Sequence, residues 1–200
     1  MNDYKFTEKW FDIAIPTWTE LFAQVPKPKT ILEIGCYEGR ATVWLCDNVL
    51  KGDAADYDIV DTFEGSLNEV GMDGTKDRLS SDNFIESSFQ HNIAFHPNVN
   101  FTVHKGYSQK ILPTFEAVEK YDLIYIDASH RADDTFVDAY YAFKLLKKGG
   151  ILIFDDYGWK DPNDMHPVNS PQLGIEAFGT MYNNHLQLIF NGYQIGFIKR

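Results

Sequence analysis

Residues 31–39 read Ile-Leu-Glu-Ile-Gly-Cys-Tyr-Glu-Gly, an apolar run that ends in an acid and passes into a short loop bounded by Gly35 and Gly39. Helix-forming residues follow from Arg40. A strand, a glycine loop and a helix in that order make a cradle for a nucleoside-containing ligand, because backbone N–H groups and a helix start meet at the strand end.

The rest of the chain repeats the strand–helix alternation. Strands are expected at about residues 30–34, 57–63, 99–104, 122–127 and 150–154, and helices at about 40–50, 83–94, 108–118 and 132–146. Lys147 to Gly150 supply a basic, glycine-rich end to that last helix. A further helix is expected at about 172–181, then a hairpin over 186–199 turning at Asn191-Gly192. Residues 65–82 are rich in Gly, Asp, Asn and Ser and read as a surface excursion, and residues 157–171 as a polar loop placed to act as a lid. Before the first strand, Phe6, Trp10, Phe11, Ile13, Leu21 and Phe22 lie at helical spacing, with Pro16 expected to split the segment into two short helices. Five alternating units predict an α/β fold, a doubly wound and mostly parallel Rossmann-like sheet carrying a C-terminal antiparallel hairpin. The expectation is one domain over 1–200, with residues 1–29 as an N-terminal helical cap and 30–200 as the core.

Composition narrows the partners. With 44% hydrophobic and 15% aromatic residues the chain is too apolar for disorder. A formal net charge of -11 disfavours nucleic acid. No apolar run approaches the ~20 residues of a membrane span. The opening Met-Asn-Asp-Tyr-Lys-Phe is unlike a signal peptide, and Cys36 and Cys46 are the sole cysteines, so a cytoplasmic setting and a small-molecule partner are expected. Oligomeric state is not legible.

In doubly wound sheets ligands bind beyond the carboxyl ends of the strands. Polar residues crowd there: Glu33, Gly35 and Gly39 after the first strand, Asp61 and Glu64 after the second, Gly106, Tyr107, Ser108 and Gln109 after the third, Asp127, Ser129 and His130 after the fourth, Asp155 and Asp156 after the fifth. A dinucleotide fingerprint needs a middle glycine for close approach to pyrophosphate, and here Tyr37 holds that place between Glu33 and Glu38. A ligand with an adenosine and a cationic centre suits the loop better.

On these residues the chain resembles the class I S-adenosylmethionine-dependent methyltransferases, whose first motif is an acid, a glycine, three residues and a glycine, as in Glu33 to Gly39. Tyr37 is similar to the catechol O-methyltransferase branch, and Val60 to Gly65 and Phe154 to Tyr157 resemble segments of the macrocin-type sugar O-methyltransferases. The resemblance implies a cofactor site of Glu33, Gly35, Tyr37, Gly39, Asp61, Gly106, Ser108, Gln109 and Asp127, with Asp61, 26 residues after Gly35, on the ribose hydroxyls. Ser108 is also expected to cap the helix it begins.

Asp127, Asp155 and Asp156 end two strands expected to be neighbours. Three converging carboxylates repel one another, and a hard divalent cation relieves that, so Mg²⁺ or a similar ion is expected there, activating a substrate hydroxyl. The macrocin type carries Asp-Gly-Asp after strand four where this chain has Asp127-Ala-Ser-His130. Asp127 and His130 are therefore the catalytic candidates, His130 as general base or as the partner orienting Asp127. Expected is metal-assisted O-methylation of a small hydroxylated molecule. The alternatives are a metal-free methyltransferase using His130 on O or N, and a non-catalytic cofactor-binding protein.

Overall fold

The computed structural model describes residues 2–65, 83–162 and 164–200. The excursion expected at 65–82 lies, apart from Gly65, outside the described residues. The strands are β1 (Thr30–Ile34), β2 (Ala55–Asp61), β3 (Val99–Lys105), β4 (Tyr121–Ile126), β5 (Leu146–Phe154), β6 (Leu186–Asn191) and β7 (Ile195–Lys199). The helices are α1 (Ile15–Gln24), α2 (Arg40–Leu45), α3 (Phe84–Ile93), α4 (Ser108–Ile111), α5 (Ala132–Leu145) and α6 (Pro171–Met181). One sheet runs in the order β3-β2-β1-β4-β5-β7-β6. β1 to β5 pair in parallel, while β7 joins β5 and β6 joins β7 antiparallel. The order reverses at β1, which lies between β2 and β4, so the topological switch point falls at the glycine loop.

Side chains alternate across this sheet with period two. Ile31, Tyr57, Ile59, Leu123, Tyr125 and Ile153 face a core closed by Trp18 of α1, Leu45 of α2 and Phe89 of α3. Leu32, Ile34, Ile124, Ile126, Leu152 and Phe154 face a second core closed by Ala139 and Ala142 of α5 and Phe178 of α6. Each fully buried aliphatic or aromatic side chain contributes roughly 1.5–3 kcal/mol, which is why strands apolar on both faces occupy the middle of the sheet. Among the described residues no helix is long and apolar enough to cross a membrane.

Several boundaries differ from the sequence expectation, each for a local reason. Pro16 does not divide the N-terminal helix. It sits in the first turn of α1, where its missing N–H costs nothing, and a 3₁₀ turn over Trp10–Ala14 leads directly into it. α2 is short and continues through a π turn, Cys46–Leu50. β2 stops at Asp61 because that carboxylate accepts the Phe63 N–H at 2.7 Å, turning the chain through a left-handed Phe63 (φ 57°). α4 ends at Ile111 and gives way to a 3₁₀ turn containing Pro113, so the helix expected to 118 is not formed. Residues 147–150 do not close α5 but bulge within β5: Tyr121 pairs with Leu146 and Leu123 already with Ile151, with Gly149 at φ 78° in the bulge.

Candidate active site

The glycine loop is built around contacts that only glycine permits. A Cβ on Gly35 (φ 82°) would stand 1.8 Å from the Asp127 carbonyl oxygen, and one on Gly39 (φ 80°) would stand 2.8 Å from the Phe89 ring. Gly35 therefore lets the loop lie on the end of β4, and Gly39 lets α2 start against α3. Asp61 ties the loop to β2: its Oδ2 accepts the Cys36 N–H at 2.6 Å and the Tyr37 N–H at 3.0 Å. Tyr37 itself is left-handed (φ 52°), a conformation that costs a non-glycine residue roughly 1–2 kcal/mol, and its ring lies 5.1 Å from that of Trp10.

Glu33 points from β1 under this loop. It is fully buried, and Oε2 accepts from Tyr57 at 2.6 Å and Thr42 at 2.7 Å. Oε1 has no hydrogen-bond partner among the described residues. Burial pushes the carboxyl up to about 7, against the two hydroxyl donors. Glu33, Cys36, Tyr37 and Asp127 line one cavity, roofed by Glu8, Trp10 and Phe11 of the N-terminal segment. Cys36 is buried, its thiol held well above the ordinary range by burial and by the Asp61 and Glu33 charges. Glu38 clasps the roof, accepting from the Thr7 N–H at 2.7 Å and the Thr7 hydroxyl at 3.1 Å.

At the third strand end, the Gly106 N–H donates to the Asp61 carbonyl at 2.9 Å, and the Tyr107 hydroxyl bridges to Glu64 at 3.0 Å. Gln109 follows within α4. Ser108 does not cap α4 as expected. Tyr107 occupies the cap position without a side-chain bond, and Ser108, the first helical residue, turns its side chain inward. There it lies beside Asp138 of α5, whose carboxyl burial pushes up to about 7 even though the Ser108 hydroxyl works to lower it. No sequence motif marks Asp138, and only its place on the buried face of α5 could have singled it out.

Across the rim, Asp127, Asp155 and Asp156 come together, each offering a carboxylate oxygen within 4.8 Å of the others. Main-chain bonds set them there: the Asp127 N–H donates to Ile34 at 2.7 Å and the Asp155 N–H to Ile126 at 2.9 Å, extending the β1–β4–β5 ladder by one residue. Asp156 then takes the left-handed conformation (φ 55°), and its N–H donates to Asp155 Oδ1 at 2.8 Å. Burial pushes the Asp127 carboxyl well up, and the Asp155 and Asp156 charges push it further. Burial raises Asp155 too, and Asp156 adds to the shift. His130 contacts Asp156, its Nε2 lying 2.8 Å from Asp156 Oδ2. Tyr193 donates to the other oxygen of Asp156 at 2.7 Å. Trp159, from the loop after β5, packs on the His130 ring with centroids 4.2 Å apart. Trp10 and Trp159 border the site, whereas Trp18 is core.

Two features of the site carry no sequence signal. Tyr125, buried on β4, points its one hydroxyl proton at the pair formed by Asp127 Oδ2, 3.1 Å away, and Asp155 Oδ2. Gln194, from the turn before β7, reaches that hydroxyl at 3.3 Å.

Comparison with known proteins agrees with this fold. An uncharacterized protein, R132, of Acanthamoeba polyphaga mimivirus is 26% identical over 145 residues, a match spanning 65% of this chain and 65% of that protein's length. A Klebsiella pneumoniae crystal structure superposes with a TM-score of 0.65 at 16% identity, over 98% of this chain and 84% of that one. The O-methyltransferase TomG of Streptomyces achromogenes, involved in tomaymycin synthesis and crystallised with S-adenosylmethionine, superposes with a TM-score of 0.60 at 18% identity, over 92% and 78%. The sequence pattern of a methyltransferase domain matches residues 32–157, from β1 through the last of the three aspartates. The chain belongs to that methyltransferase-domain family and has the class I S-adenosylmethionine-dependent methyltransferase fold.

Proposed function

We propose that the protein transfers the methyl group of S-adenosylmethionine to a hydroxyl of a small molecule, with a divalent cation, Mg²⁺ first, held by Asp127, Asp155 and Asp156. The observation that carries this is the adjacency of two sites: Asp127 both lines the cavity under the glycine loop and belongs to the carboxylate cluster. TomG, crystallised with S-adenosylmethionine, supports the choice of donor.

On the donor side, Glu33 Oε1 offers an unused buried acceptor to a cationic or N–H group of the cofactor. Asp61 anchors the loop backbone through Oδ2, and its Oδ1, which takes the Phe63 N–H, keeps one lone pair for a ribose hydroxyl. The family resemblance assigns Gly106, Ser108 and Gln109 to the adenine end. On the acceptor side, an all-oxygen donor set suits a hard divalent ion. Such an ion, when bound, acidifies a substrate hydroxyl and stabilises the alkoxide. His130 and Tyr193 hold Asp156 from both sides, so His130 serves as an orienting group. Placing the donor and the acceptor oxygen in line supplies the remainder, since orientation alone is worth roughly 7–11 kcal/mol in well-positioned reactions.

The test is methyl transfer from labelled S-adenosylmethionine to a panel of vicinal diols, catechols and sugars, with and without chelator. Turnover that chelator abolishes and Mg²⁺ restores is the expected result. Turnover that survives chelator and Asp156→Ala but is lost in His130→Ala would establish the metal-free reaction instead. Tight cofactor binding without turnover on any acceptor would mark a binding protein.

A further inference from the structure

A directional chain of buried donors ends on the carboxylate cluster. The Trp18 indole N–H donates to Gln194 Oε1 at 2.8 Å. Gln194 Nε2 donates to the Tyr125 hydroxyl oxygen at 3.3 Å. Tyr125 in turn reaches Asp127 Oδ2 at 3.1 Å and Asp155 Oδ2. Trp18 and Tyr125 are each 1% exposed and Gln194 5%.

We propose that the Tyr125 hydroxyl, aimed by Gln194 and Trp18, is the positioning group that holds Asp127 and Asp155 in cation-binding geometry. This rests on the metal-assisted reading above. A phenol has one proton, so Tyr125 stands between two carboxylates that would otherwise repel each other apart, and its O–H serves either. What points that proton at the carboxylates is the donor behind it: the Gln194 amide occupies the oxygen from the other side. The amide has a fixed sense because indole N–H is a donor only and therefore selects Oε1, leaving Nε2 for Tyr125.

Packing alone does not account for the arrangement. Phenylalanine at 18 and 125 with an aliphatic residue at 194 would fill much the same space without burying side-chain polar atoms, which is costly unless they are bonded. The bonded residues come from α1, β4 and the β6–β7 turn, separated by 176 and 69 positions in the chain. Asp156 is outside the relay, since His130 and Tyr193 hold it. The relay thus acts on two of the three carboxylates. It links their alignment to the N-terminal helix and the C-terminal hairpin, the two elements that flank the parallel core.

Groups that orient metal ligands are commonly worth 10–100-fold in ion affinity. The experiment is Mn²⁺ binding to the full chain by electron paramagnetic resonance, and Mg²⁺ binding by calorimetry, alongside S-adenosylmethionine affinity. Tyr125→Phe should bind Mn²⁺ at least ~10-fold more weakly with cofactor affinity within about twofold of wild type. Trp18→Phe, which keeps an aromatic ring against Tyr125 and loses the indole N–H, should show a smaller loss in the same direction. It also reads the relay from its far end if Tyr125→Phe fails to fold. Phe197→Leu, on the opposite core, serves as a control for general destabilisation and should retain Mn²⁺ affinity. Wild-type Mn²⁺ affinity in Tyr125→Phe, or an equal loss in Phe197→Leu, would overturn the relay and leave the metal reading standing. A wild-type protein that binds neither ion would overturn both.

Discussion

Two buried acid clusters occupy this sheet, and the protein treats them oppositely. Asp58, within β2, meets Lys120 at 2.6 Å, His104 at 2.9 Å and the Tyr121 hydroxyl at 2.9 Å. Burial works to raise its carboxyl, but Lys120, His104 and Tyr121 together hold it below the usual range. Asp127 and Asp155, at the ends of β4 and β5, also receive a tyrosine hydroxyl but pair with no lysine or arginine among the described residues, and their carboxyls are pushed up. At Asp58 the chain brings its own cation. At the rim, among the described residues, Asp127 and Asp155 are given no lysine or arginine.

Removing carboxylates should break the comparison most sharply. On the proposed metal-assisted reaction, Asp155→Asn is expected to lower kcat/KM for methyl transfer by roughly 10²–10³-fold, the scale of losing a central charge-stabilising contact, and to remove the Tm rise that Mg²⁺ is expected to give the wild type. Asp58→Asn should leave kcat within a few-fold and instead cost about 2 kcal/mol of stability in chemical unfolding, the mark of a disrupted buried ion pair.

The pH dependence sharpens the same contrast. Asp58 has a folded pKa below its unfolded one. Its contribution is present above about pH 4 and lost as pH falls through the folded value. Glu33 and Asp138, each raised to about 7, have the opposite sign: their contribution is full below about pH 4 and lost as pH climbs through 7. Asp138→Asn should therefore unfold at higher denaturant than wild type at pH 8, by on the order of 3 kcal/mol, and match it near pH 4. Equal unfolding midpoints at pH 8 would show that Asp138 is ionised and satisfied in the fold.

Much of this was legible before any coordinate. The alternation of apolar runs with amphipathic stretches fixes strand and helix content through local periodicity, and β1, β3, α3 and the terminal hairpin fall where periodicity places them. The acids at strand ends were found because a doubly wound sheet gathers its strand ends on one rim. The misjudged elements are those where one side-chain bond or one bulge outweighs propensity. Asp61 capturing the Phe63 N–H ends β2 early, and the bulge at 147–150 turns an expected helix end into strand.

By itself the sequence determined the class I architecture, the glycine loop and the three aspartates, because each is written in contiguous residues or in spacings along one strand–helix unit. Only the tertiary structure decided how the acids are held. Tyr57 and Thr42 seat Glu33, His130 turns to Asp156, and Trp18, Gln194 and Tyr125 converge on Asp127 and Asp155. Apart from Tyr125 and Asp127, neighbours on one strand face, those partners are 9 to 176 residues apart in the bonds that join them. A hydrogen bond acts over about 3 Å and leaves no periodic trace in a chain whose folding alone brings its ends together.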